Sequence, residues 1–338
     1  MSVLIIAEAG VNHNGSLDTA MQLIDVAAFA KADFVKFQTF KTDLLVSRKA
    51  TKADYQTANT GLPDESQMDM LRRLELDRKA HETLMAHCRL RGIGFLSTAF
   101  DLDSIDLLKE LGQTLFKIPS GEITNLPYLR KIAAVADKII LSTGMASLEE
   151  VEAAVGVLLA GGKLLENITI LHCNTEYPTP MEDVNLLAMQ TLGRMFGTAV
   201  GYSDHTLGIE VPIAAVALGA VCIEKHFTLS RNLPGPDHRA SLEPNELADM
   251  GKAIRNIDGA LGSEMKQPSA SELKNRDVAR KSIHLATDLP QGHRLTQADL
   301  VMKRPGTGIS PMDMDRVVGK YLASAFPADH LLSWDDFL

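Results

Sequence analysis

The feature that most constrains the fold is a regular alternation of short apolar runs with longer amphipathic stretches. Near-continuous apolar runs are typical of parallel strands that are buried on both faces. The eight candidate strands are Val3–Glu8, Phe34–Gln38, Gly94–Thr98, Leu115–Pro119, Ile139–Thr143, Ile168–Cys173, Ala199–Ser203 and Val221–His226. Helices are predicted between them, for example from Ser16 to Ala30, and from the capping box at Ser147 to Leu159.

Eight strands that each lead into a crossover helix predict an α/β fold, a (β/α)₈ TIM barrel over residues 1–262. An open doubly wound sheet is the alternative, but the even repetition and the lack of a GxGxxG turn favour the barrel. The long polar stretch 41–67 interrupts the rhythm, and we interpret it as a lid over the barrel mouth. Residues 263–281 are predicted to be a linker with some helix, and residues 282–338 a small second domain.

Composition excludes several classes of protein. A hydrophobic content of 45% indicates a sizeable core, and the net charge of −9 without a long basic run argues against a nucleic-acid or anionic-membrane partner. The three cysteines are scattered and show no CxxC spacing, which argues against a disulfide framework or a structural zinc site. The first residues do not resemble a signal peptide, and Val211–Ile223, the longest apolar stretch, is too short for a membrane span. We therefore expect a cytoplasmic protein.

Polar side chains stand at the carboxyl end of nearly every predicted strand, which is where barrel enzymes carry their active sites. Lys36 and Lys117 lie inside otherwise apolar strands, where an unpaired ammonium would be costly, so a bound phosphate is a natural partner. The alternative is a buried ion pair with Glu8 or Glu122. Lys41 begins the predicted lid and could close onto the same anion. Hydroxyl donors around that anion would be Ser120, Ser142 and Ser203.

Two histidines end neighbouring strands and suggest a metal site. His205 and His226 follow the seventh and eighth strands, so their imidazoles can share one ion. Two such ligands with open positions suit Mn²⁺, Fe²⁺ or Zn²⁺ that also holds water and substrate oxygens. Asp204 and Asp237, the latter in a GPDH turn, strengthen this interpretation.

Nine spaced motifs together strongly resemble the sialic acid synthase family: AEAGVNHNG, KFQTFK, FLSTAFD, KIPSGE, LSTGMA, HCNTEYPTP, GYSDHTLG, IEKHFTL and GPDHRASLEP. The resemblance runs from residue 3 to beyond residue 310. It implies an enzyme that condenses phosphoenolpyruvate with an N-acetylated hexosamine aldehyde and water, forming a nine-carbon 2-keto acid and phosphate. It also implies a C-terminal antifreeze-like (SAF) domain at residues 282–338 and a homodimer that swaps this domain.

The resemblance further implies roles for individual residues. A divalent metal, typically Mn²⁺ with Mg²⁺ or Co²⁺ as alternatives, would bind His205 and His226. Phosphoenolpyruvate would be held, with Lys41 or Lys36 assisting, by Thr98, Lys117, Ser120, Ser142 and Ser203. The sugar would contact Glu122, Asn174 or Thr175, Tyr177 and Asp237. Arg304 would reach the N-acetyl group from the partner subunit, and either Glu122 or the metal-held water would manage protons.

One substitution points to a branch of the family. Bacterial N-acetylneuraminate synthases usually carry NHEG, whereas this chain has NHNG with Asn14 at the third position. The substitution and four segments resemble the branch that makes N,N′-diacetyllegionaminate from 2,4-diacetamido-2,4,6-trideoxymannose. These segments are TKADYQT, DESQMDMLRRLEL, SGEITNLPYL and HCNTEYPTP. The alternatives are N-acetylneuraminate synthesis from N-acetylmannosamine and pseudaminate synthesis. A non-catalytic sugar-binding barrel is a third hypothesis, but the retention of both histidines and of the phosphate-site residues argues against it.

Overall fold

The computed structural model describes residues 2–53, 56–57, 59 and 65–338. The chain divides into two compact units, Met1–Gly262 and Ser263–Leu338. In the described part of the chain, no helix is long and apolar enough to cross a membrane.

The first unit is built on eight parallel strands. They are β1 (Leu4–Gly10), β2 (Phe34–Thr39), β3 (Gly94–Ala99), β4 (Leu115–Ile118), β5 (Lys138–Ser142), β6 (Ile168–His172), β7 (Ala199–Asp204) and β8 (Cys222–His226). Their order in the sheet is β3-β2-β1-β8-β7-β6-β5-β4, and β3 and β4 pack side by side, so the sheet closes on itself. The predicted (β/α)₈ barrel is therefore confirmed, and each predicted strand is present with its ends shifted by at most two residues.

Crossover helices follow the strands around the barrel. They are α1 (Leu17–Phe29), α2 (Arg78–Arg91), α3 (Leu102–Glu110), α4 (Leu126–Val135), α5 (Leu148–Ala160), α6 (Ala188–Phe196), α7 (Glu210–Ala217) and α8 (Pro244–Leu261). Side chains fix where several begin: the Ser16 side chain accepts a hydrogen bond from the Thr19 N–H, and Ser147 forms the predicted capping box with Glu150. These bonds satisfy N–H groups that the first helical turn leaves without a partner.

Alternation along the strands separates the core from the site. Inside the barrel, one layer of apolar side chains is formed by Ile6, Leu96, Ile140, Leu171 and Cys222. Because successive side chains of a strand point to opposite faces, the residue two positions further also points inward. Those residues are polar on four of these strands, namely Glu8, Thr98, Ser142 and Glu224. The apolar layer is thus the floor of a polar cavity at the carboxyl ends of the strands.

The connection between β2 and α2 contains the segment that the sequence predicts as a lid. Short helices Thr42–Leu45 and Gln67–Arg72 lie in it, and the Asn59 side chain donates to the carbonyl of Pro236 at 2.6 Å. Residues 54–55, 58 and 60–64 of the predicted lid lie outside the described residues. Leu45, one of the described residues of this segment, lines the polar cavity at the carboxyl ends of the strands. A closing motion of this segment stays a prediction.

The second unit has its own small core. Helix α9 (Ala270–Ala279) occupies much of the stretch predicted as a linker with some helix. Strands β9 (Ser282–Leu285) and β10 (Leu300–Lys303) pair antiparallel, and a short helix, α10, spans Met314–Val317. Buried apolar side chains hold these elements together, including Ile283, Leu285, Leu295, Val317, Leu322 and Leu332.

Candidate active site

A cavity of about 350 Å³ opens at the carboxyl ends of the barrel strands. Eleven residues that the sequence predicts for the site line it: Lys36, Thr98, Lys117, Ser120, Ser142, Thr175, Tyr177, Ser203, His205, His226 and Asp237. Glu8, Gln38 and Glu224 line it too. The sequence named Glu8 as a possible ion-pair partner of the lysines and gave Gln38 and Glu224 no role in the site. Glu224 is the significant omission, because it is a buried carboxylate that faces the predicted anion site.

Four buried charged side chains form one network in this cavity. Lys117 Nζ donates to Glu224 Oε1 at 2.7 Å, and Lys36 Nζ lies 3.0 Å from Glu8 Oε2 and 3.5 Å from Glu224 Oε2. Lys36 therefore forms a buried ion pair with Glu8, which is one of the two partners that the sequence offered as the alternative. For Lys117 the partner is Glu224 rather than Glu122, because Glu224 extends inward from β8 across the barrel.

The two carboxyl groups of this network differ in their affinity for protons. Burial raises the pKa of Glu8 to about 7, even though Lys36 opposes the shift. Burial alone would also raise the pKa of Glu224, but Lys117 and Lys36 together hold it well below its usual range. Glu224 is thus a permanent carboxylate, whereas Glu8 gains or loses a proton near neutral pH. When Glu8 is protonated, the two ammonium groups outnumber the single carboxylate.

Hydroxyl groups surround the network. Lys36 Nζ donates to Thr98 Oγ1 at 3.0 Å, and Ser203 Oγ donates to Glu224 Oε1 at 2.9 Å. The Gly144 N–H donates to Ser120 Oγ at 3.0 Å. A Cβ at Gly144 would lie 2.6 Å from Thr175 Cγ2 and 2.9 Å from Ser120 Oγ, so only glycine fits this close approach. The loop after β5 is therefore shaped to hold the Ser120 hydroxyl at the cavity wall.

Two imidazoles and a phenol ring form the opposite side of the cavity. The rings of His205 and His226 are 5.5 Å apart between centroids, and Tyr177 stacks on His205 at 4.1 Å. His205 Nδ1 donates to the backbone carbonyl of Asn174 at 2.5 Å, which directs Nε2 away from that bond. Asp237 Oδ2 lies 4.0 Å from His226 Nδ1. The predicted pairing of the two histidines is thus present in the geometry.

The electrostatics of these rings suit metal ligation. Burial lowers the pKa of His205 to about 4 and that of His226 well below its ordinary value, so both rings are neutral at neutral pH. Burial raises the pKa of Asp237 to about 6. His226 Nδ1 has no hydrogen-bond partner among the described residues. Among all the residues that the structure describes, no cluster of three or more His, Cys, Asp or Glu side chains is arranged to hold a metal ion. A cation here would therefore keep positions for water or substrate.

The structure does not bring two of the predicted residues to the cavity. Lys41 is exposed, and its ammonium pairs with Asp103 at 2.8 Å on the outer surface. Glu122 is half-buried, and its carboxylate accepts a hydrogen bond from Asn125 at 2.6 Å outside the cavity lining. In each case a local partner on the chain's surface holds the side chain away from the barrel axis.

Three further predicted residues have other surroundings. Asn14 is exposed and contacts the His238 ring at 3.1 Å, which links the first loop to the turn that carries Asp237. The Asn174 side chain accepts from a backbone N–H of its own loop, while its carbonyl holds His205. Arg304 belongs to the second unit, where its Nε donates to a carbonyl at the end of α9 at 3.0 Å.

Comparisons with known proteins agree with this geometry. Residues 23–266 match the NeuB family and residues 280–338 the SAF domain. The chain is 54% identical to N,N′-diacetyllegionaminic acid synthase of Campylobacter jejuni, over 97% of this chain and 98% of that one. It is 47% identical to the protein of the same name from Legionella pneumophila, over 99% and 94%. A crystal structure of N-acetylneuraminic acid (sialic acid) synthetase from Leptospira borgpetersenii, in complex with citrate, is 36% identical and superposes with a TM-score of 0.72, covering 81% and 90%.

Proposed function

Since the chain belongs to the NeuB family, we propose that it condenses phosphoenolpyruvate with 2,4-diacetamido-2,4,6-trideoxymannose and water, releasing N,N′-diacetyllegionaminate and phosphate. The observation that carries this proposal is the 54% identity, over nearly the whole chain, to a relative named for that product. The relative named for N-acetylneuraminic acid is less similar, at 36% identity. N-acetylneuraminate and pseudaminate synthesis are therefore the alternatives to be tested.

The network around Lys117 would receive the phosphate of phosphoenolpyruvate. Two ammonium groups and the hydroxyls of Thr98, Ser142 and Ser203 face one small cavity, and charge-assisted hydrogen bonds to a phosphate are among the strong ones. Lys117 and Ser203 both contact Glu224 here, so an arriving phosphate competes with that carboxylate for them. Glu224 thus stabilises two buried donors until the substrate replaces it.

The reaction forms a carbon–carbon bond at C3, forms a carbon–oxygen bond from water to C2 and breaks the bond between C2 and the bridging oxygen of the phosphate. C3 of phosphoenolpyruvate attacks the aldehyde carbon, and the aldehyde oxygen takes a proton to become a hydroxyl. Water adds to C2 and loses a proton, and the resulting tetrahedral centre collapses to a ketone as phosphate leaves with its bridging oxygen. A group that exchanges protons near neutral pH is therefore required. Glu8 meets this requirement better than Glu122, because it lines the cavity and has a pKa of about 7.

His205 and His226 would hold a divalent metal ion, Mn²⁺ by family resemblance, with Mg²⁺ or Co²⁺ as alternatives. Both rings are neutral and buried, and His226 Nδ1 has no hydrogen-bond partner among the described residues. The Asn174 carbonyl orients the His205 ring, as groups around metal sites commonly do. When bound, such an ion would polarise the aldehyde oxygen.

The sugar would lie on the side of Tyr177. This ring covers His205 and also contacts His226 edge-on at 5.4 Å, and Thr175 and Asp237 line the same part of the cavity. An aromatic face can pack against the apolar side of a sugar ring while the threonine hydroxyl and the carboxyl group bind polar substituents.

A second copy of the chain would cover the barrel mouth. Large apolar side chains on four consecutive loops at this end are 37% to 73% exposed: Met145, Met181, Leu187, Leu207 and Leu233. Exposed apolar side chains gathered on one face favour a protein–protein interface. The proposed occupant is the SAF unit of a partner subunit, which would bring Arg304 to the sugar in a domain-swapped homodimer.

Subunit complementation tests this arrangement. Co-expressed Arg304→Ala and His226→Ala chains would form mixed dimers in which one of the two sites is intact, restoring about one quarter of wild-type activity. At a sugar concentration well below the raised KM of Arg304→Ala, each variant alone should show little activity. Activity of the mixture that does not exceed the mean of the two variants would contradict a shared site.

The state of the cysteine thiols supports a proposal for the compartment in which the protein works. All three cysteines are free and buried, and Cys88 and Cys222 have pKa values raised to about 12 by burial. Free thiols without disulfides suit a reducing compartment, so the cytoplasm is the proposed location.

Phosphate release measured with each candidate aldehyde tests the proposed substrate. Phosphoenolpyruvate is supplied with the diacetamido sugar, its pseudaminate-type stereoisomer or N-acetylmannosamine, and the product mass is determined. The highest kcat/KM is expected with 2,4-diacetamido-2,4,6-trideoxymannose. A preference for N-acetylmannosamine would contradict the substrate assignment, and no release with any aldehyde would favour the non-catalytic sugar-binding barrel.

A further inference from the structure

Lys225 is a fully buried ammonium for which the proposed reaction has no use. Its exposed fraction is 0%, and its Nζ donates to Asp204 Oδ2 and to the backbone carbonyl of Thr206, both at 2.5 Å. Asp204 is equally buried. Neither side chain lines the cavity, whereas their neighbours Ser203 and Glu224 do. The pair therefore lies on the outer face of the sheet, behind the site.

The register of β7 and β8 places this pair directly before the two histidines. Ser203 is the cross-strand partner of Glu224, and Asp204 is the partner of Lys225. The first pair is hydrogen-bonded inside the barrel at 2.9 Å, and the second is bonded outside it. His205 follows the last residue of β7, and His226 is the last residue of β8. A slip of one residue between these two strands would leave one of the two imidazoles on the opposite face of the sheet, and these two pairs oppose such a slip.

Asp204 and Lys225 also fix the residue on the far side of His205. Asp204 accepts hydrogen bonds from the N–H and the hydroxyl of Thr206, both at 3.1 Å, while Lys225 donates to the carbonyl of the same residue. The backbone on both sides of His205 is thus tied to β8. A buried ion pair contributes little to stability compared with well-packed apolar side chains, so stability alone does not explain it.

We propose that Lys225, Asp204 and Thr206 form a clamp that sets the spacing and orientation of His205 and His226, and are positioning residues for the divalent cation. This inference rests on the metal site of the proposed function. Groups that orient metal ligands without touching the ion typically change metal affinity by about 10–100-fold when they are altered.

The test compares Mn²⁺ binding by wild type and by Asp204→Asn/Lys225→Met, measured by electron paramagnetic resonance on metal-free protein. The double variant removes both charges at once, so neither is left buried without a partner. About 10–100-fold weaker Mn²⁺ binding is expected, with phosphoenolpyruvate affinity and metal-free melting temperature close to wild type. Mn²⁺ binding equal to wild type would overturn the clamp. The matched control is Asp106→Asn/Lys131→Met, which removes a surface pair and should leave Mn²⁺ affinity unchanged.

Two further measurements cover the other outcomes. If the double variant does not fold, Thr206→Val removes only the hydroxyl's bond to Asp204. A several-fold loss of Mn²⁺ affinity then supports the clamp, and an unchanged affinity overturns it. If wild type binds none of Mn²⁺, Mg²⁺ and Co²⁺, the proposed metal site is wrong, and the clamp is judged on crystal structures of the metal-free proteins. A changed separation of the His205 and His226 rings in the variant supports it, and a separation equal to wild type overturns it.

Discussion

Replacing Lys117 by methionine separates the two roles that this ammonium has in the cavity. Lys117 is buried, and among the described residues its ammonium forms an ion pair only with Glu224, at 2.7 Å. Methionine keeps most of the side-chain volume and removes the charge. Glu224 would retain the Ser203 hydroxyl at 2.9 Å and the Lys36 ammonium at 3.5 Å, so its carboxylate would not be left without partners.

The expected magnitudes follow from these contacts. Removing one partner of a buried ion pair costs about 3–5 kcal/mol, and the two remaining partners of Glu224 should reduce the loss of unfolding free energy to about 2 kcal/mol. Loss of one charge-assisted hydrogen bond to the substrate phosphate is worth about 1.5–3 kcal/mol. The KM for phosphoenolpyruvate should therefore rise about 10–100-fold while the KM for the sugar stays close to wild type.

Phosphate release at varied phosphoenolpyruvate, together with urea unfolding, measures both effects. Adding Glu224→Gln to Lys117→Met should recover the unfolding free energy, because the uncompensated charge is gone, but should not recover the KM for phosphoenolpyruvate. Recovery of that KM would mean that Lys117 serves only to neutralise Glu224, and the phosphate assignment would be refuted. Lys131→Met, at an exposed pair, is the control and should change neither quantity.

Three further variants test other parts of the site. Because the pKa of Glu8 is raised from 4.5 to about 7, the native chain binds more protons than the unfolded chain between these values. Its contribution to stability should fall by about 3 kcal/mol as the pH rises through that window, and urea unfolding of Glu8→Gln should lack this fall. His226→Ala should abolish phosphate release with an unchanged circular dichroism spectrum, and full wild-type turnover in a chelator would contradict the metal role. Arg304→Ala should raise the KM of the sugar more than that of phosphoenolpyruvate, and equal effects would contradict its placement.

The barrel could be predicted from the sequence because its strands are buried on both faces. Such strands are continuous apolar runs, and eight of them at even spacing leave few ways to close a sheet. Their ends were less certain by one or two residues, since polar residues occur both in the last strand positions and in the loops that follow. β1, for example, continues to Gly10 beyond the predicted end at Glu8.

Side-chain direction alone made the site predictable at the strand ends, whereas loop residues such as Thr175 and Tyr177 were predicted from the family resemblance. His205 and His226 meet because neighbouring parallel strands bring their ends together. The Lys117–Glu224 pair joins residues 107 positions apart on strands that are not neighbours, so no local pattern reveals it. Glu122 lies outside the cavity lining for the opposite reason: it sits in a 3₁₀ turn after β4, where the amide of Asn125 directs its carboxylate.

The charge of the cavity explains how an acidic chain can bind an anionic substrate. The net charge is −9, yet in the network of Lys36, Lys117, Glu8 and Glu224 the two lysines are balanced by only one permanent carboxylate, Glu224. Glu8, with a pKa of about 7, sets whether the remaining charge is zero or positive, and a dianionic phosphate beside it would raise that pKa further. Substrate binding and proton uptake at Glu8 should therefore favour each other. The proton needed at the aldehyde oxygen would then be stored in the cavity when the carbon–carbon bond forms.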